Sequence, residues 1–279
     1  MEPREPAVTI ELIGGSALRE AAARTAALLR TVPDPSRDVP GLTWNVGETA
    51  AHLVAELELF TGLVTGEREP SGRLDEDTAE AITPTQVTIA ANALQLAEFT
   101  ERDPARLADR LVPAADAFIA AAARRPPDEP VLAPNGMSMT MPTMTATLLG
   151  EQLIHGLDIA RAANMPWRIS REDALLVIAG VIAMVPDYVD RAAAAGRHIS
   201  YELRLRGGPR YRLTIDDGKA AVTEPDGRVD CRIVADPVAF LLVGYGRTGQ
   251  MGQILRGKIL AVGRKPWLGP AFGKMITGP

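Results

Sequence analysis

The sequence predicts a two-domain α+β protein, with a helix bundle over residues 1–195 and a small α+β domain over 196–279. Three observations carry this reading. Through most of the first 195 positions, apolar residues recur every three or four places, the period of helices that each bury one stripe. From Tyr201 the period changes to two: Tyr201, Leu203 and Leu205 alternate with Glu202, Arg204 and Arg206, the pattern of a half-buried strand. Charge divides at the same place. Residues 196–279 hold 14 Lys+Arg against 7 Asp+Glu, so the chain's net charge of -5 splits into +7 there and -12 before it.

Taken in order, the first helix spans Ser16 to about Arg30 and is alanine-rich. Pro33 to Pro40 is a loop. Asn45 followed by Glu48 reads as a capping box, opening a helix to about Gly66 whose apolar face holds Leu53, Leu57, Phe60 and Val64. Further helices are expected over 84–100 and 105–124. After the proline-rich connector Pro126 to Pro134, Pro142 suits a first helical turn and opens a helix to about Ala163. Ser170 and Asp173 cap a last bundle helix through about Ala195, kinked at Pro186. Beyond Gly196, strands are expected over 201–206, 211–215, 220–223, 231–234 and 259–262, with Asp217-Gly218 a hairpin turn. Helical segments are expected over 236–245 and 266–275.

Composition sets bounds on function. The basic residues are scattered and not interleaved with aromatics, which argues against nucleic acid. The longest apolar run, Leu175 to Val185, is about half the ~20 residues a membrane span needs. A single cysteine, Cys231, leaves no internal disulfide. With no signal-like N-terminus, the expectation is a cytoplasmic protein with no membrane insertion and a small-molecule substrate or a lipid as partner.

Only three histidines occur, and His52 and His155 fall inside helices. Glu151 lies four residues before His155, on the same helical face. Two imidazoles and a carboxylate suffice for a catalytic divalent metal and leave a position open for water or a thiolate. The competing reading is a solvated polar face with ordinary hydrogen-bonded histidines. Against it, Met144, Leu148, Ile159 and Ala162 flank the polar stripe, as in a helix buried on that side too. Asp158, one turn past His155, can orient that imidazole or pair with Arg161. Glu48 reads as a cap, Glu56 as solvated and His198 as a surface residue. The Met-rich run Met137, Met139, Met141, Met144 reads as core or as an adaptable apolar wall.

The segment Trp44-Asn45-Val46-Gly47-Glu48-Thr49-Ala50-Ala51-His52-Leu53 resembles one metal-binding segment of the mycothiol-dependent maleylpyruvate isomerase family. Gly150-Glu151-Gln152-Leu153-Ile154-His155-Gly156-Leu157-Asp158-Ile159-Ala160 resembles the other. That family belongs to the DinB-like metal-binding four-helix bundles. The resemblance, over about 10–195, implies His52, Glu151 and His155 as ligands of zinc, with water or the thiolate of mycothiol at the open position. Nickel, iron and manganese suit the same donors. The implied reaction is addition of the thiolate to a cis double bond, rotation, and elimination to the trans acid; a transferase would keep the adduct.

Residues 196–279 resemble the sterol carrier protein 2 (SCP2) fold at Tyr201 to Arg206, Arg212 to Asp217, Asp230 to Leu242 and Gly257 to Gly263. The isomerases end in a domain of this general kind, and there an arginine after a helix contributes to the active site. Leu241-Leu242-Val243-Gly244-Tyr245-Gly246-Arg247 is similar, which implies Arg247 as a catalytic and cofactor-binding residue. The tail around Trp267 and Phe272 departs from the isomerase pattern and is similar to the segment closing a sterol carrier's apolar tunnel. A competing function is therefore a lipid, sterol or acyl-chain carrier with no enzymatic role.

Overall fold

Asn45 starts the helix on which the first candidate ligand sits. Its Oδ1 accepts from the Glu48 backbone N–H at 2.9 Å, and Glu48 Oε2 accepts from the Asn45 N–H at 2.9 Å. This capping box satisfies two of the end groups that a helix otherwise leaves unpaired. The helix, α2 (Val46–Thr65), stops where Gly66 turns left-handed at φ 76°. In the computed structural model, which describes residues 5–69, 84–134 and 136–276, four more helices share its neighbourhood in sequence: α1 (Glu5–Leu29), α3 (Pro84–Glu98), α4 (Pro104–Ala122) and α5 (Met141–Ala163). A short hairpin, β1 (Val131–Leu132) and β2 (Ser138–Met139), precedes α5.

Four of these helices form a bundle. α1 packs on α4 and α5, and α2 packs on the same two. Leu53 and Leu57 from α2, Leu107 and Leu111 from α4, and Leu148 and Leu149 from α5 are fully buried. Each contributes roughly 1.5–3 kcal/mol over exposure, the main force assembling the bundle. The Met-rich run is core: Met137, Met139, Met141 and Met144 are all buried. α5 starts at Thr140 with Pro142 in its first turn and ends at Asn164, left-handed at φ 56°. α1 begins well before the expected Ser16, at Glu5.

The chain divides into two compact units, Met1–Glu80 with Val87–Ile169, and Ala81–Gln86 with Ser170–Pro279. The expected boundary after residue 195 thus falls inside the second unit. Its first helix, α6 (Arg171–Val181), is capped by Ser170 as expected, but the helix to Ala195 is not continuous. Around Pro186, which lacks an N–H, the chain runs as a 3₁₀ segment (Ile182–Tyr188) and then a single turn, α7 (Arg191–Ala194). The 3₁₀ segment packs on the sheet, which is why this stretch groups with the strands and not with the bundle.

The sheet has five strands: β3 (His198–Leu205), β4 (Arg210–Asp216), β5 (Lys219–Thr223), β6 (Cys231–Ala235) and β7 (Ile259–Val262), in the order β5-β4-β3-β6-β7. β3 and β6 are parallel and the other pairs antiparallel. Register puts Tyr201 opposite Leu213 and Cys231, and Leu203 opposite Ile233, so these apolar side chains are buried together. Asp217 (φ 45°) and Gly218 (φ 79°) make the expected hairpin turn, both central residues left-handed. The helices are α8 (Pro237–Gly244), α9 (Gln250–Leu255) and α10 (Gly269–Met275), the last preceded by a 3₁₀ turn, Pro266–Leu268. α9 has no counterpart in the sequence pattern, because six residues with none buried carry no apolar period.

Candidate metal centre

α2 and α5 are neighbours in the bundle. They bring together residues a hundred positions apart. Glu151 Oε2 lies 3.0 Å from His155 Nε2 and 3.4 Å from His52 Nε2. One donor atom from each of the three lies within 4.8 Å of the others. Both histidines are buried, His52 to 1 % exposure. The polar stripe on α5 is therefore interior, and the solvated-face reading fails for Glu151, His155 and Asp158.

What the second ring nitrogens do is as informative. His52 Nδ1 donates to Gln95 Oε1 on α3 at 2.9 Å, and His155 Nδ1 donates to Asp158 Oδ2 at 3.1 Å. An amide oxygen and a carboxylate only accept, so each Nδ1 carries its proton. Both Nε2 atoms then point at Glu151. A partner on Nδ1 that frees Nε2 is the usual support of a metal-binding histidine. The Trp44 ring flanks both imidazoles, with centroids 5.0 Å from His52 and 6.0 Å from His155. The two imidazoles meet edge to face, 5.3 Å apart.

The electrostatics are those of a group of charges held away from water. Burial would raise the Glu151 carboxyl and lower His155. Hydrogen bonds between them, with those from His52 to Glu151 and from His155 to Asp158, overcome it. Glu151 is held far below the usual carboxylate range, and His155 is pushed up to about 9. Glu56 goes the other way. Burial, then repulsion by Glu151, lifts its carboxyl well above the ordinary range.

Glu56 corrects the sequence reading. It is not solvated: its side chain is 13 % exposed, and its Oε2 lies 3.6 Å from His52 Nε2 without any hydrogen-bond partner. Its place four residues after His52 mirrors the Glu151–His155 spacing, a signal the sequence does carry. Gln95 has no such signal, because it comes from another helix with no motif around it. Glu48 is a cap and His198 is exposed beside Asp216, both as expected. Arg247 belongs to the second unit, after α8, where its Nη1 donates to the Tyr245 carbonyl at 2.7 Å.

Two imidazoles and a carboxylate fit a divalent cation. They are the common nitrogen and oxygen donors of such ions, and both imidazoles turn Nε2 to the same carboxylate, where a cation could replace the proton between them. A cation would also offset the charge of the three largely buried carboxyl groups here, Glu56, Glu151 and Asp158, of which Glu56 has an orphaned oxygen.

A helix bundle with this donor set in its core, followed by a five-stranded α+β unit, defines a class of two-unit proteins with a candidate metal centre in the helical part. The profile described as "Mycothiol maleylpyruvate isomerase N-terminal domain" matches residues 18–160. The chain belongs to that family. Two crystal structures share its fold. One is of a mycothiol-dependent maleylpyruvate isomerase, with TM-score 0.51 and 15% identity, covering 95% of this chain and 97% of that one. The other is a histidine-to-alanine mutant of such an isomerase, with TM-score 0.52, 14% identity and the same coverage. No curated protein matches the sequence. Among the described residues no helix is long and apolar enough to cross a membrane.

Proposed function

We propose that this chain is a mycothiol-dependent, metal-assisted enzyme that isomerises a small maleylpyruvate-like electrophile, with S-transfer the related outcome if the adduct is kept. One observation carries the reading: two buried imidazoles, each with Nδ1 committed to an acceptor, turn Nε2 toward one carboxylate. His52, Glu151 and His155 would hold the metal, most simply zinc. When bound, metal and thiol cofactor supply a thiolate nucleophile near neutral pH.

The chain's own residues do the rest. Gln95 and Asp158 fix the imidazole tautomers. Trp44 flanks both rings. Arg247 would pair with a carboxylate of the substrate or cofactor, since guanidinium suits that group. The test is metal content of the purified protein beside His52→Ala and Glu151→Ala, followed by cis-to-trans conversion of maleylpyruvate with mycothiol. About one metal per chain, lost in both variants, with thiol-dependent turnover, is the expected result. A metal-free wild type after reconstitution would end this reading.

A second reading concerns the other unit, as an SCP2-like module. Its sheet and helices line a partly open pocket of about 730 Å³. Ile178, Ile182, Ile233, Phe240, Ile259 and Phe272 are among the residues that line it. This size and apolar lining favour an acyl chain or similar apolar ligand there. Phe272 lines the cavity and also stacks edge to face on Tyr201, while Trp267 is exposed. Native mass spectrometry of the purified chain is the check: a co-purified fatty acid or lipid is expected.

A further inference from the structure

We propose that Glu56 is a fourth protein donor to the cation held by His52, Glu151 and His155, making the centre a two-histidine, two-glutamate set. The inference rests on the metal reading of this centre and goes beyond its three ligands.

Three observations support it. Glu56 Oε2 is buried and accepts no hydrogen bond, a costly state for a carboxylate oxygen unless something positive completes it. The atom lies 3.6 Å from His52 Nε2, and Glu151 Oε2 lies 3.4 Å from the same nitrogen. Two donors bound at about 2.0–2.2 Å to one ion stand roughly 3.3–3.6 Å apart at tetrahedral to trigonal angles, so Glu56 and Glu151 each stand from His52 as ligands sharing an ion do; Glu56 lies outside the set whose donor atoms all fall within 4.8 Å of one another and would swing in to complete the shell. The third observation is charge. Two carboxylate donors and two neutral imidazoles carry the charge that balances a divalent cation within its own ligand shell, which lowers the desolvation cost of burying the ion.

The consequence is chemical. A second carboxylate shifts the donor set toward oxygen, which suits zinc, iron and manganese and disfavours copper(I). An incoming thiolate would then either add as a further ligand or take the place of Glu56.

The experiment uses the full chain, stripped and reloaded, as wild type, Glu56→Gln and Glu56→Ala. Zinc affinity is measured by competition with a chromophoric chelator, and the cobalt(II) form is examined by visible absorption. The expected result is zinc binding at least about tenfold weaker in both variants, with cobalt bands that differ from wild type. Thermal unfolding guards against a merely misfolded variant: metal-free Glu56→Gln should melt above metal-free wild type, and zinc should raise its Tm less. Wild-type affinity and unchanged cobalt bands in Glu56→Gln would overturn the assignment of Glu56 alone. A wild type that binds neither metal would overturn the three-ligand reading, and this inference with it.

Discussion

The indole of Trp167 lies directly against Gly156: a Cβ at that glycine would stand 2.3 Å from Trp167 Cζ2. The ring cannot swing away freely. Its Nε1 donates to the Leu153 carbonyl at 3.0 Å, and the Arg24 guanidinium stacks on it at 4.4 Å from α1. Gly156 follows His155 directly, so this contact locks the turn of α5 that carries a candidate ligand.

Gly156→Ala is therefore expected to destabilise the protein. Alanine in a helix is favoured over glycine by about 1 kcal/mol, but overpacking a fixed neighbour costs about 1–3 kcal/mol. The overlap is deep and the ring is tethered, so the steric cost wins. A lower Tm with altered tryptophan fluorescence is the expected outcome. An unchanged or raised Tm would show that Trp167 is not anchored.

Removing the cap of α2 gives a smaller effect with a different signature. Asn45→Ala leaves the Glu48 N–H unpaired and should cost about 1 kcal/mol by denaturant unfolding. Glycine at the same position should recover most of it. Equal losses in both variants would place the effect outside the cap.

These contacts show what the residue pattern discloses and what it hides. The capping box, the i,i+4 pair Glu151–His155 and the Asp217-Gly218 turn are local, and spacing reveals them. So is the Asp158 contact, three residues from its partner. Gln95 and Trp167 act across helices or from a loop, and no periodicity announces such contacts. The boundary expected after 195 falls within the second unit for a similar reason: residues 170–195 have helical spacing, but part of this stretch packs on the sheet, and spacing does not name a partner. Glu56 reads as solvated because a charged residue on a helix usually is, although its spacing from His52 repeats the motif on α5.

Gln95 offers the sharpest check of the tautomer argument. Gln95→Leu removes the acceptor for His52 Nδ1 and should weaken zinc binding by about 10–100-fold, as loss of such an outer partner does. Gln95→Glu keeps an acceptor and should retain wild-type affinity. Asp158→Ala should behave like Gln95→Leu through His155. Chelator competition resolves these differences. Wild-type affinity in Gln95→Leu would mean that the hydrogen bond does not orient the ring.

The last prediction concerns pH and metal together. In the metal-free chain His155 titrates at about 9, above the ~6.5 of an unfolded histidine, because Asp158 and Glu151 outweigh its burial. A raised folded pKa means the protonated ring stabilises the fold. That contribution is complete below about pH 6.5 and is lost as pH rises through 9. Metal-free stability should therefore decline over this interval. Zinc requires the neutral ring, so binding at about pH 7 expels a proton, and apparent affinity should rise up to about pH 9. Calorimetry in buffers of different ionisation enthalpy counts the proton directly. Proton release on zinc binding at about pH 7, smaller by about one per zinc in His155→Ala than in wild type, is expected; equal release in both would place the cation elsewhere than on His155.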